Sequence, residues 1–292
     1  MLRFADMEVV QGARASLRPA RRGTFRLLVE ALREIRSRRR LVRYLVDADL
    51  QKKGANTLLG NIWWILDPLL QMTVYVVFVS VIVGSTQDAY PLFIFCAILP
   101  WKWFTSSIGD GITSVTAQET IIKQVQFPKI VLPLAAVVSG IVNFAFGMIP
   151  LAALLILFYS SHISAWLVLI PVVAAVQFVF TLALAVFLSA ANVFFRDVGN
   201  VFRHLLRLWF YLSPALYSAD KIYSIAAKGG IISRVFNLNP WASMFESYRN
   251  LIYYKTGPEW TSLLGVLILS FVLLGLSIIF FKRTEPSFAK VL

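Results

Sequence analysis

Six runs of apolar residues divide this 292-residue chain, and they constrain its fold before any motif is read. They lie at residues 62–83, 91–115, 130–158, 166–193, 200–217 and 260–281. A helix needs about 20 apolar residues to cross the hydrocarbon core of a bilayer. Lipid offers a free amide no water to bond, so a crossing segment outside a closed barrel is a helix. The chain is 58% hydrophobic and only 15% charged, against about 45–50% and about 25% in a soluble domain. That surplus cannot be hidden in a water-surrounded core of this size. The predicted fold is an all-α polytopic membrane protein with six transmembrane helices. An amphipathic interface helix precedes them, and short outer-face helices lie between the fifth and sixth spans.

Charge sets the orientation. Of 28 Lys and Arg, 14 fall in residues 1–57. Six spans place both termini on one side. That basic block, Lys123 with Lys129, Arg196 with Arg203, and Lys282 with Arg283 all lie there, whereas the outer loops 84–90 and 159–165 contain no Lys or Arg. The positive-inside rule makes that side cytoplasmic. The expected location is the inner membrane, with multiple passes and both termini in the cytoplasm. Three regions follow: a basic N-terminal extension over 1–23, an amphipathic interface helix over 24–57, and a six-span transmembrane domain over 58–292. In the interface segment Phe25, Leu28, Leu32 and Ile35 share a helical stripe beside Arg26, Arg33, Arg36, Arg39, Arg40 and Arg43. The segment reads as one helix, or as two joined near residues 38–40. Such a helix suits an anionic lipid surface. A face docked on protein is the alternative, and nucleic acid is not expected as a partner. Residues 1–22 have no apolar core of the signal-peptide kind, so insertion is expected to begin at the first internal span.

Several chemistries are missing. No GxxxxGK[ST] is present to cradle a nucleotide phosphate. Two distant histidines, His162 and His204, and the single Cys96 make no metal site, and no disulfide is possible within the chain. Asp67 and Asp110 are the only acids inside the apolar runs, and neither makes a convincing proton relay. No catalytic residues, cofactor or metal are expected. A transport body with no energy source of its own implies a separate motor.

Several stretches resemble the permease subunits of bacterial type-2 ABC exporters for O-antigen, teichoic acid and other cell-wall polysaccharides. They are Asp49-Leu50-Gln51-Lys52-Lys53 with Leu58 through Leu69, Tyr90-Pro91-Leu92-Phe93 leading to Leu99-Pro100-Trp101, and Phe127-Pro128-Lys129 with Leu132-Pro133-Leu134. Asn192 through Val198, Leu208 through Pro214, Asn239-Pro240 and Glu285 through Ala289 follow in order. The resemblance covers about residues 40–292. Lys102, Arg207 and the residues before 24 depart from the pattern. The resemblance implies a homodimer capped by two ATP-binding subunits, which hold ATP and Mg. It implies a cargo of lipid-linked polysaccharide of the undecaprenyl-pyrophosphate type, such as O-antigen or teichoic acid. An ABC permease for a drug, lipid or haem is the nearest alternative. A membrane-embedded glycosyl- or acyltransferase is the second.

Four groups of site residues follow. The loop after the second span holds the family's coupling position: Gln118, Glu119, Ile121, Ile122, Lys123 and Val125 on a short helix, closed by Phe127, Pro128 and Lys129. Proline restrains the residue before it, so that helix is expected to stop near Gln126 or Phe127, with Ile121, Ile122 and Val125 on one side. Arg203 and Arg207 share a helix face and read either as a contact for the cargo's lipid pyrophosphate or as side chains snorkelling to lipid phosphate. Trp101, Lys102, Trp103, Phe104, Trp209 and Tyr211 are candidates for a glycan pathway, since aromatic faces stack on sugar rings. For an individual Trp the other reading is the interfacial belt of any membrane protein. Trp241, Phe245 and Tyr248, on an outer helix over 239–254, are expected to narrow the exit and touch lipid or sugar.

Overall fold

The computed structural model describes residues 23–55, 58–79, 88–217 and 238–292, which form helices and no strand. The extension over 1–22, the end of the first apolar run and residues 218–237 lie outside the described residues. Ten α-helices are seen. Two precede the spans, α1 (Thr24–Ser37) and α2 (Arg39–Gly54), joined at Arg38. The rest are α3 (Trp63–Val77), α4 (Tyr90–Thr113), α5 (Glu119–Gln124), α6 (Val131–Phe158), α7 (Ile170–Phe194), α8 (Val198–Leu212), α9 (Pro240–Ile252) and α10 (Trp260–Val291).

Four helical segments are long and apolar enough to cross a membrane: α4, α6, α7 with its 3-10 lead-in from Ala165, and α10. The protein is therefore multi-pass. The other two predicted spans are shorter as seen. At about 1.5 Å per residue, the 15 residues each of α3 and α8 reach about 22 Å, short of an about 30 Å core. The helix of the fifth run ends at Leu212, not at 217. Ser213 precedes Pro214, which disfavours helical backbone, and Ser213 is extended at φ −99°, ψ 152°. α10 differs in the opposite sense and runs ten residues past the predicted 281. Phe281 and Phe288 hold that extension, both fully buried with ring centroids 5.2 Å apart.

α4 is the central helix. Of its apolar stretch 78% is buried, against 28–33% for the other three crossing segments, which leave broad faces for lipid. It packs on α3, α6, α7, α8 and α9, while α7 and α10 pair along their length. Pro100 lies inside α4 and removes one helical N–H. A buried polar chain forms beside it. Tyr248 donates to Gln177 Oε1 (2.9 Å), and Gln177 Nε2 donates to the Pro100 carbonyl (2.9 Å), joining α9, α7 and α4. Fully satisfied polar groups of this kind fix one arrangement of an otherwise apolar core.

The outer end of α8 is held by two residues of the α9 segment. Asn239 caps α9, accepting from the Trp241 amide (3.1 Å) and the Trp209 indole (2.9 Å), and donates to Ser213 Oγ (2.8 Å). Arg249 is fully buried and gives its guanidinium hydrogens to the carbonyls of Pro214, Ala215 and Tyr217, just past the end of α8. Its Cζ lies 3.7 Å from the centroid of the Phe93 ring, so a cation–π contact adds to the bonds.

At the end of the molecule formed by the last turns of α10, α1 buries Leu27 and Ala31 and leaves Phe25 and Leu32 exposed. The predicted stripe is thus divided, with Leu28 and Ile35 half-buried against protein and the other two facing outward.

Arg249→Ala strands two buried carbonyls, those of Pro214 and Ala215, each costing about 1–3 kcal/mol, and frees the part-buried carbonyl of Tyr217. Thermal unfolding in detergent should show a loss of several kcal/mol, and Arg249→Lys should recover only part of it, because one ammonium cannot match the planar fork.

Candidate substrate cleft and motor-facing surface

α3, α4 and α8 enclose an open cleft of 440 Å³. Trp101 is its wall, Thr105 and Gln71 line it, and Arg203, Arg207 and Tyr211 project from α8. The two arginines are one turn apart and exposed, and neither has an acid partner among the described residues. Three lysines near the spans differ. Lys102 pairs with Asp67, Lys53 with Asp110 (2.7 Å) and Asp49 (2.8 Å), and Lys282 with Glu34 (2.7 Å) and Glu285 (2.9 Å). The cleft is therefore an uncompensated positive site with an aromatic wall, suited to a doubly charged anion that carries an apolar or sugar body.

Only part of the predicted glycan pathway meets there. Trp101, 6% exposed, and Tyr211, 53% exposed, share the cleft with the arginines. Lys102 and Trp103 lie round the helix in a different cavity. Phe104 is fully buried against Phe180 (centroids 5.9 Å apart), and the Trp209 indole is committed to Asn239. The outer helix forms over Pro240–Ile252, yet its three chosen residues face inward. Trp241, Phe245 and Tyr248 are 0%, 0% and 1% exposed, and the Trp241 ring sits 4.8 Å from that of Trp101. They belong to the protein core and make neither of the expected contacts with lipid or sugar. An aromatic face that packs on other helices has the same spacing in sequence as one that faces a passage.

The candidate coupling segment begins with a 3-10 turn, Thr116–Gln118, and continues as α5. The helix stops at Gln124, two residues before the expected end, because Val125 is already extended at φ −126°, ψ 134°. Lys123 and Glu119 pair at 2.6 Å, which holds the Glu119 carboxyl below its usual range, and Arg196 stands 4.0 Å away. The three apolar residues do not share a face. Ile122 is 4% exposed and packs into the inner core with Ala31, Val115 and Phe288, whereas Ile121 and Val125 are 48% and 53% exposed. Ile121 and Val125 are thus the residues available to a partner.

A network not foreseen from sequence supports this segment. The Lys129 amide donates to Glu285 Oε1 (2.8 Å). Glu285 Oε2 accepts from Lys282, which also bonds both oxygens of Glu34 and lies 4.0 Å from Glu30. The end of the coupling segment, α10 and α1 are thereby joined at one largely buried ammonium. They surround an open cleft of 1240 Å³ lined by Leu27, Gln126, Phe127, Pro128 and Pro286, among others. The tail around Glu285 carries the family resemblance, but nothing in its spacing names Glu34, 251 residues earlier, as its neighbour.

The described residues have the architecture of an all-helical, multi-pass membrane protein. Residues 40–253 match the ABC-2 type transporter family, and the chain belongs to it. It is 34% identical over 263 residues to the O-antigen export system permease protein RfbA of Myxococcus xanthus, covering 90% of this chain and 99% of that one. The RfbA permease of Klebsiella pneumoniae is 29% identical over 249 residues, covering 85% of this chain and 93% of its own length.

Removing the shared ammonium leaves Glu30, Glu34 and Glu285 facing one another. Breaking a buried ion pair costs about 3–5 kcal/mol. Lys282→Met should therefore lower the melting temperature markedly, while Lys282→Arg stays close to the parent protein.

Proposed function

We propose that this chain is the channel-forming permease subunit of an ATP-driven exporter that moves lipid-linked polysaccharide of the O-antigen type across the cytoplasmic membrane. It works as a homodimer, with α3 and α8 completing six crossings per subunit and both termini in the cytoplasm. Two ATP-binding subunits sit on the cytoplasmic face and carry the ATP and Mg. α1 and α2 rest on anionic lipid through their arginines.

The carrying observation is the pair of uncompensated arginines, Arg203 and Arg207, in an aromatic-walled cleft of a family member whose relatives are named O-antigen export permeases. Such a pair binds a pyrophosphate by charge-assisted, bidentate hydrogen bonds. Trp101 and Tyr211 offer ring faces to the first sugars without fixing them. Arginines that only snorkel to bulk lipid phosphate would serve no cargo, and activity separates the two roles. Arg207→Ala should reduce export and cargo-stimulated ATP hydrolysis by about tenfold or more, equivalent to about 1.4 kcal/mol or more of lost binding. Export and stimulation at the parent level would assign Arg207 to ordinary lipid.

Motion enters through Ile121 and Val125. The rigid link from Lys129 through Glu285 and Lys282 to Glu34 passes a displacement of the segment to α10 and α1. Ile122→Asp is a folding variant, because the residue is buried. Ile121→Asp combined with Val125→Asp should leave the permease folded and dimeric, yet weaken association with the ATPase and abolish export. Normal export by that double variant would remove this surface from the mechanism.

A further inference from the structure

A second cavity, of 240 Å³, lies on the other side of the α3–α4 seam, bounded by the end of α2, α3, α4 and α6. Its lining includes four charged residues, but they are already spent. Lys102 is paired with Asp67, and Lys53 with Asp110 and Asp49. An anion entering here would meet two carboxylates for each free face of a lysine. The cavity therefore differs in kind from the arginine cleft.

What it has in surplus is neutral hydrogen-bonding capacity. Trp103 is 3% exposed, stacks on Phe144 with centroids 5.0 Å apart, and its indole N–H has no acceptor among the described residues. Among the same residues Asn143 Oδ1 has no donor and the buried hydroxyl of Ser107 has no partner. These groups come together where α6 carries Gly140. A Cβ there would lie 2.0 Å from Ser107 Oγ and 2.9 Å from Trp103 Nε1. Gly140, Asn143 and Gly147 follow one another on a single helical face that lines the cavity.

Unpartnered buried polar groups are uncommon and point to a missing partner. Water would meet that need on the polar floor. It would gain nothing from the apolar part of the lining, where Trp63 and Trp64 present indole surface and Leu99 an aliphatic side chain. A ligand with hydroxyls on one side and a C–H face on the other satisfies both. Each hydroxyl donates and accepts, matching a lone N–H beside a lone carbonyl oxygen, and the C–H face lies on indole. The volume falls below the about 300–1,000 Å³ typical of drug-sized ligands, so it suits one ring and not a chain.

We propose that this cavity is a binding subsite for a single uncharged sugar ring, with Trp103 and Asn143 as its specificity-determining floor and Trp63 as its mouth. Its use by the exporter rests on the reading of the cargo as a lipid-linked glycan.

The test is photocrosslinking in cells that hold the intact transporter and make the glycan. A benzophenone amino acid is placed at Trp63, which is 43% exposed, or at Tyr211 in the arginine cleft. Adducts are purified and probed for glycan and for phospholipid. Glycan-bearing adducts are expected at both positions. Adding Trp103→Phe with Asn143→Leu should reduce the Trp63 adduct at least tenfold and leave the Tyr211 adduct, which also reports that the protein is folded and loaded. Glycan at Tyr211 with none, or phospholipid alone, at Trp63 overturns the subsite while the exporter reading stands. A Trp63 adduct indifferent to the floor substitutions also overturns it. Glycan at neither position overturns both.

Discussion

A charge in lipid must be paired, and most of this structure is arranged around that requirement. Lys102 reaches Asp67, Lys53 reaches Asp110, and Lys282 gathers three glutamates. Each pair ties two helices that hydrophobic attraction alone would not hold in register, since lipid tails are as apolar as the helices' own faces. Backbone carbonyls serve the same end for Arg249. Against that background, Arg203 and Arg207 stand out by contrast. Among the described residues they have no acid partner and stand open beside an aromatic wall, which is the basis for the proposed anion site.

α4 carries both faces of this arrangement. Trp101 and Thr105 face the arginine cleft, and Lys102, Trp103 and Ser106 face the neutral cavity. The helical repeat of 3.6 residues places neighbours in sequence about 100° apart. One helix can therefore divide a charged site from an uncharged one, and a single run of aromatic residues serves two environments. Pro100 lies just above, where the bond from Gln177 to its carbonyl fixes the helix at the level of both sites.

The long apolar runs were legible because crossing a membrane imposes a length, and three of them, 130–158, 166–193 and 260–281, begin within one residue of their helices. The break at Arg38 and the outer helix after Asn239 were legible from charge and from a cap followed by proline. Burial was not. Trp241, Phe245 and Tyr248 have the spacing of an amphipathic face, and that spacing cannot say whether the face meets lipid or protein. Ile122 and Ile121 are adjacent apolar residues with opposite fates, decided by the Ala31 and Phe288 side chains that meet only in three dimensions. The Lys282 cluster was invisible for the same reason, because its members are separated by hundreds of residues. Arg203 and Arg207 could be seen as a pair, but their lack of acid partners became apparent only beside the structure's completed ion pairs.

The attachment of α8 is one-sided. Asn239 and Arg249 pin the chain at and just beyond its outer end, whereas only Leu206 and Phe210 are buried along its length. A rod fixed at one end and lightly held elsewhere behaves as a lever. Over about 22 Å, a tilt of about 10° carries the free end about 4 Å, and the level of Arg203 about 2 Å. Such a swing changes a guanidinium–phosphate distance from bonded to broken. The pinned end is that of Leu212 and the long arm runs to Val198, so a tilt of this one helix would change the spacing of the charged lining.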